Sequence, residues 1–278
     1  MSYNPEIPRT RYDNYGDREW TRLTKDGPGE LLYQVHLDIL QRYIRHGDQV
    51  LEIGAGSGRY TKDLATMCAE LTVADLSSHQ IEFNKSKMQE LYLYDRIKAY
   101  HLLDVLDMSV FADASFDVVV CIGGVINYLL DRETDGIREL LRVLKPGGIL
   151  IVGAMSFIGA SMYYLDGIRY EKDLFGIDAT RWIMNTGIQD EEHYPVPSKH
   201  YIHMMRSSEL DALFAGFPVN VMERSSAGLY TQAGDAALEN ARGDQEFWKL
   251  IVEQEIAFTK LPGTLDCGMN LIYVVRKL

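Results

Sequence analysis

The sequence predicts an α/β domain wound on both faces of a mostly parallel sheet, and three observations carry that expectation. Short apolar runs alternate along the chain with longer stretches whose apolar residues recur at helical spacing. Those runs are short and largely apolar, as parallel strands buried on both faces should be. The first of them, Gln49 to Ile53, runs into Gly54-Ala55-Gly56-Ser57-Gly58 and then opens a helix. Such a junction presents backbone at the carboxyl edge of a parallel sheet, where open α/β folds bind their ligands.

The elements follow in order. Leu32, Val35, His36, Ile39, Leu40, Tyr43 and Ile44 give residues 30–46 a helical stripe that Gly47-Asp48 stops. After the glycines, Tyr60 to Met67 reads as a helix, Leu71 to Ala74 as a strand, Ser78 to Leu91 as a helix and Ile97 to Leu103 as the third strand. Phe116 to Ile122 is the fourth. A helix carrying Ile137, Leu140, Leu141 and Leu144 stops before Lys145-Pro146-Gly147-Gly148, because proline disfavours helix in the residue before it and glycine permits the reversal. Gly148 to Ala154 supplies the fifth strand. Beyond residue 155 lies an aromatic, Met-rich stretch of roughly fifty residues. Order returns with a helix at Ser208 to Ala215, a strand at Val219 to Arg224, a helix at Gln245 to Thr259 and a last strand at Asn270 to Arg276.

Size and composition bound the function. The 278 residues hold one α/β domain with a sizeable insertion, or two small domains. With 46% hydrophobic and 24% charged residues the chain has the make-up of a water-soluble globular protein. A net charge of −12 repels phosphate backbones, and no Lys/Arg-rich run offsets it, which argues against nucleic acid as a partner. Cys68, Cys121 and Cys267 are odd in number, far apart and in apolar surroundings, so they read as buried thiols of a reducing compartment. The N-terminus has no basic and apolar leader, and no apolar run reaches about 18 residues. The expectation is a cytoplasmic protein with no membrane span.

The glycine loop excludes two common nucleotide sites. A dinucleotide fingerprint needs glycine three residues after Gly56, where Arg59 stands, and the Gly-Lys-Ser/Thr ending of a phosphate loop is absent. Asp75 closes the second strand 21 residues after Gly54, where an acid can accept hydrogen bonds from both ribose hydroxyls or serve as a helix N-terminal acid. Asp104-Val105 closes the third strand and Cys121-Ile122-Gly123-Gly124 the fourth. Glu52 stands two residues before the first glycine, and the whole arrangement resembles motif I and the following strand ends of the class I S-adenosylmethionine-dependent methyltransferases. Leu141 to Gly148 is similar to the family's element between its fourth and fifth strands. The resemblance covers residues 48–155.

That resemblance implies a Rossmann-like, seven-stranded sheet with an antiparallel last strand, an N-terminal helical lid and an inserted cap. It implies S-adenosylmethionine as cofactor and S-adenosylhomocysteine as product. The residues it places on the cofactor are Tyr15, Glu52, Gly54, Ala55, Gly56, Asp75, Leu76, Asp104, Val105, Cys121 and Ile122. Asp104 would bind the adenine amino group and the Val105 amide the ring, while the backbone at Cys121-Ile122 meets the methionine end. Tyr15 belongs to Tyr12 to Trp20, which looks like the family's lid or else packs on the sheet edge. The Asn/Asp-Pro-Pro-Tyr of amide- and adenine-methylating members is missing.

The expected organisation is 1–46 as lid and helix, 47–155 with 206–278 as the cofactor-binding core, and 156–205 as the cap. The acceptor is expected to be a small molecule, methylated on O, N or C by in-line displacement, the protein supplying alignment and exclusion of water. Tyr128 and His200, with His193 and His203, are the candidates for a general base, each also readable as packing or a solvated loop residue. The His-x₆-His-x₂-His spacing matches no familiar zinc site, so no metal is expected. A non-catalytic cofactor sensor with a closed acceptor pocket is the alternative, and a protein or RNA methyltransferase the third reading. Monomer and homodimer are both compatible with the sequence.

Overall fold

A computed structural model describes residues 3–16, 18–195, 201–261 and 263–278. Helices α1 (Glu6–Tyr15) and α2 (Arg18–Arg22) precede α3 (Gly27–Tyr43), whose start is fixed by Asp26 accepting from the Gly29 N–H at 2.9 Å and by proline in its first turn. Then come β1 (Gln49–Ile53), α4 (Thr61–Met67), β2 (Glu70–Asp75), α5 (Ser78–Glu90), β3 (Ile97–Leu102) and β4 (Phe116–Cys121). The chain continues through α6 (Glu133–Val143), β5 (Leu144–Met155), α7 (Phe157–Tyr163), α8 (Leu165–Thr186) and α9 (Ser207–Ala215). It ends with β6 (Val219–Ala227), α10 (Asp235–Arg242), α11 (Gln245–Phe258) and β7 (Asn270–Lys277).

The seven strands stand in the order β3-β2-β1-β4-β5-β7-β6, and only β7 runs against its neighbours. The direction of winding reverses between β1 and β4, which opens a crevice above their carboxyl ends. Strand residues alternate between two cores. Val118 and Val120 join Val50, Leu71 and Val73 under α3, α4 and α5, while Val119 and Cys121 join Leu51, Leu150 and Tyr273 under α6 and α9. The seven strands read from the sequence all form, and the antiparallel last strand is present.

Differences have local causes. Strand β5 begins at Leu144, ahead of the Pro146-Gly147-Gly148 turn, and its pairing with β4 jumps from Phe116↔Leu144 to Val118↔Ile149 to absorb those residues. The Met-rich stretch forms α7, α8 and a two-residue ribbon of Ile188–Gln189 with Ile202–His203. It is only partly core: Phe157, Ile183, Tyr194 and Met204 cluster, while Tyr170, Leu174, Ile177 and Met184 are exposed. Helix α10, unread in the sequence, buries Leu238 with Leu31 of α3 and Trp248 and Ile251 of α11. Cys68 and Cys121 are buried as expected, but Cys267 is exposed because its short turn lies at the surface. Among the described residues no helix is long and apolar enough to cross a membrane.

The β1–α4 turn is built from left-handed residues, Gly54 at φ 68°, Gly56 at 53° and Gly58 at 92°. Gly54 is held doubly, since a Cβ there would come within 2.2 Å of Val125 Cγ2. Gly54→Ala should therefore lower stability by about 1–3 kcal/mol, from the left-handed backbone and the overpacking together. Urea unfolding measures this, and an unchanged midpoint would show that the turn accommodates a side chain.

Candidate functional site

Two adjoining cavities lie above the crevice. The first is lined by the glycine turn, by Glu52, Asp75, Leu76, Asp104 and Val105 at the strand ends, and by Ile122, Gly123 and Tyr128. Its roof is the N-terminal segment, through Tyr3, Arg9, Tyr12, Glu19 and Arg22. The second extends from Tyr12, Tyr60, Gly123 and Tyr128, which line both, to Tyr15, His36, Ser161, Ile168 and Met204.

Glu52 and Asp75 set the electrostatics of the first cavity. Glu52 is 2% exposed and accepts from the Thr61 hydroxyl at 2.6 Å. Burial pushes its carboxyl up to about 8, and the neighbouring Asp75 adds to the shift. Asp75 accepts the Gly56 N–H and the Ser77 N–H, each at 2.8 Å, yet burial still raises it to about 6. Among the described residues neither carboxylate has an ion pair. The turn is further held by Gly54 and Ala55 N–H groups donating to the Ala74 carbonyl at 2.9 and 3.2 Å. Asn84 on α5 donates to Thr61 at 2.9 Å. The Ser57 hydroxyl is buried without a partner among the described residues.

The roof is bonded to the body beneath it. Ser77, the N-cap of α5, donates to Asp13, and Gln80 Nε2 donates to the carbonyls of Tyr12 and Gly16 at 3.0 and 3.2 Å. Arg59 donates to the Trp20 carbonyl at 3.0 Å and to Thr24 at 2.8 Å, with its guanidinium 4.4 Å from the Trp20 ring centre. At the far end the Tyr3 hydroxyl donates to Asp104 at 2.9 Å, and Leu106 N–H bonds the other oxygen of that carboxylate at 2.9 Å. Arg22 makes a bidentate pair with Glu19 at 2.7–3.0 Å.

Of the residues expected on the cofactor, Glu52, Gly54, Ala55, Gly56, Asp75, Leu76, Asp104, Val105 and Ile122 share the first cavity. Two do not. Cys121 lines neither cavity: strand alternation turns its thiol into the core beneath α6, where burial raises it to about 12. Tyr15 lines only the second cavity and packs edge-on against Tyr12 at 6.4 Å. The tyrosine of α1 that lines the first cavity is Tyr12, whose hydroxyl bonds that of Tyr128 at 3.0 Å. Tyr128 thus sits where the cavities meet, in a single 3-10 turn held by buried Asn127, which donates to the His203 carbonyl at 2.6 Å.

The histidine candidates fare differently. His200 lies outside the described residues. His193 stacks on Trp182 at 4.4 Å and bonds Asp190, and His203 bonds Glu133 at 2.8 Å; neither lines a cavity. Ser57 belonged to the glycine motif and was legible. Arg59, read only as an interruption of a pattern, and His36, read as one of a helical apolar stripe, gave no separate signal.

Residues 51–152 match the family model described as a methyltransferase domain, a span running from β1 into β5. The demethylmenaquinone methyltransferase of Clavibacter sepedonicus is 35% identical over 106 residues, which cover 38% of this chain and 40% of that protein. That of Beutenbergia cavernae is 31% identical over 140 residues, covering 50% and 48%. The chain thus spans less than half the length of these curated relatives. The N-methyltransferase NodS from Bradyrhizobium japonicum, solved with S-adenosyl-l-homocysteine, shares the fold with a TM-score of 0.57 at 16% identity over 99% of each chain.

The raised Glu52 carboxyl yields a pH prediction. The fold favours its neutral form, so this group's contribution is fully present below about 4.5 and is lost as pH rises toward about 8. Glu52→Gln keeps an acceptor for Thr61 and cannot ionise. Its melting temperature should draw level with the wild type near the acid end of that window and exceed it near the alkaline end. Parallel melting curves across the window refute the assignment.

Proposed function

We propose that this chain, which carries a class I S-adenosylmethionine-dependent methyltransferase domain of Rossmann-like fold, methylates an O, N or C nucleophile of a small-molecule acceptor. The cofactor belongs to the first cavity and the acceptor to the second. In this reading residues 1–46 form the lid, 47–155 with 206–278 the cofactor-binding core, and 156–205 the cap.

The observation that carries the reading is a pair of buried carboxylates with no cationic partner among the described residues, under a left-handed glycine turn. Such a wall fits a ligand that brings positive charge and hydroxyl donors. Asp75 would accept from the ribose hydroxyls, since each carboxylate oxygen has a second lone pair besides the one used by Gly56 or Ser77. Asp104 and Val105 would hold the adenine, with the Tyr3 hydroxyl sharing or yielding Asp104. Glu52, the unpartnered Ser57 hydroxyl and the turn would face the methionyl end. When bound, S-adenosylmethionine supplies an already activated methyl group, so the protein needs no nucleophile of its own.

The chain's residues then have three tasks. The roof through Tyr12, Glu19 and Arg22 excludes water, Tyr12 and Tyr128 narrow the passage between the cavities, and the second cavity aligns the acceptor. A sensor with a closed acceptor pocket fits this arrangement less well, because the second cavity shares wall residues with the first, Tyr12, Tyr60, Gly123 and Tyr128 among them. The charges that line the second cavity, Arg11 and Arg22 against Glu19 and Glu171, offer no basic groove for nucleic acid.

Calorimetry with S-adenosylmethionine and S-adenosylhomocysteine should find both binding, and a folded protein that binds neither overturns the reading. Asp75→Ala should weaken binding by about 1–3 kcal/mol through lost bonds to a charged group. A cation entering beside carboxyls raised to about 6 and about 8 must favour their ionised forms, so binding should release protons and tighten as pH rises toward those values. The effect should be smaller for the demethylated product, which lacks the sulfonium charge. Affinity that falls as pH rises would contradict the charge assignment.

A further inference from the structure

His36 stands in the middle of α3, among residues that otherwise build the core. It is 3% exposed, yet it lines the second cavity, where its ring lies 5.6 Å from that of Tyr60. Its Nδ1 is 2.7 Å from the Leu32 carbonyl. A carbonyl only accepts, so Nδ1 carries the proton, and in the neutral ring Nε2 is left as a bare acceptor. That Nε2 is buried and has no hydrogen-bond partner among the described residues. Buried polar atoms are satisfied in the great majority of cases, and one left open at a cavity wall calls for a donor from outside the chain. The Ser161 hydroxyl, on the wall supplied by α7, is a second buried polar atom without a partner among the described residues.

We propose that His36 is a specificity-determining residue of the acceptor site, its Nε2 accepting a hydrogen bond from a neutral hydroxyl or N–H group of the methyl acceptor. This rests on the methyl-transfer reading and deepens it by naming the acceptor class: an apolar, uncharged molecule, with the phenol or enol hydroxyl as the simplest fit. Three observations favour that class. The walls around His36 are aromatic and aliphatic, through Tyr60, Leu32, Ile168 and Met204. Burial, with Arg22 assisting, pushes the ring down to about 4 against the opposing Leu32 bond, so it stays neutral at pH 7 and offers a lone pair. The charges on the cavity wall balance, Arg11 and Arg22 against Glu19 and Glu171, so no net charge selects an ionised acceptor. The role is positioning: Nε2 orients the donor-bearing end of the acceptor, and a molecule without a donor leaves the nitrogen unsatisfied, which such sites reject strongly.

The first test needs no variant. Nitrogen NMR of protein labelled in its histidines should find the His36 proton on Nδ1 at pH 7, and a proton on Nε2 overturns the proposal. Titration of the S-adenosylhomocysteine complex with phenol and with fluorobenzene, similar in shape and differing in the donor, then reads specificity. Phenol should shift the Nε2 resonance and bind about tenfold tighter than fluorobenzene, the worth of one satisfied buried acceptor. The preference should persist in His36→Gln, which retains an acceptor, and vanish in His36→Phe. An equal preference in His36→Phe, or equal binding of both probes to the wild type, overturns it. Calorimetry with S-adenosylhomocysteine on each variant judges the methyl-transfer reading separately, because His36 does not line the first cavity.

Discussion

The structure turns on two carboxylates that the sheet buries side by side. Glu52 is the penultimate residue of β1 and Asp75 the last of the parallel neighbour β2, and the register that pairs Glu52 with Val73 and Ile53 with Ala74 keeps them together. Water would stabilise both charges, but the turn of glycines and the N-terminal roof exclude it. Neutral donors replace it only in part: a threonine hydroxyl for Glu52, and two backbone N–H groups for Asp75. Such groups cannot match an ion pair, which is why both carboxyls are held above their ordinary values. A wall in this state costs stability in the empty protein, and that cost makes sense where a cation completes it. The rest of the fold keeps that wall in place.

The turn that covers the carboxylates also fastens the roof above them. Gly54 must be left-handed because its N–H and that of Ala55 both reach the Ala74 carbonyl while Val125 presses on the other side. The chain then enters α4 at Arg59, whose side chain projects toward α2 and binds the Trp20 carbonyl, Thr24 and the Trp20 ring. On the opposite flank the first turn of α5 binds Asp13 and the carbonyls of Tyr12 and Gly16. A dinucleotide fold spends the Arg59 position on a glycine for close helix packing. Here it carries a long cation that reaches out of the sheet layer, so one residue both breaks the dinucleotide spacing and ties down the N-terminal segment.

Much of this was legible from local pattern. The seven strands and the cavity wall at Glu52, Gly54, Gly56, Asp75 and Asp104 follow from apolar runs that stop at glycine or acid, a signal confined to a few consecutive residues. What the sequence withheld was pairing across distance. Tyr12 and Tyr15 are indistinguishable as letters and, three residues apart, are neighbours on one helix face, so only the docking of α1 against α5 selects which of them enters the first cavity. Cys121 was expected to offer backbone, and what the letters did not show is where its thiol goes: alternate side chains of a strand face opposite cores, and Cys121 falls on the side of α6. Helix α10 escaped notice because its polar sequence is stabilised by Leu238 meeting α3 and α11, a contact more than two hundred residues distant from one of its partners.

His36 shows the same limit at a single atom. In sequence it occupies a position of the apolar stripe, and a stripe histidine reads as core; its burial bears that out. The helix itself then decides its chemistry. A histidine four residues after Leu32 can turn Nδ1 onto that carbonyl, which consumes the ring's only proton and leaves Nε2 pointing away from the backbone it belongs to. Had the ring bonded through Nε2, the open nitrogen would lie against its own helix and no ligand could use it. The second cavity thus inherits an acceptor, while the first inherits negative charge. Opposite demands on the two ligands follow: one must bring positive charge and the other a neutral donor, and the Tyr12–Tyr128 hydroxyl pair stands at the wall between them.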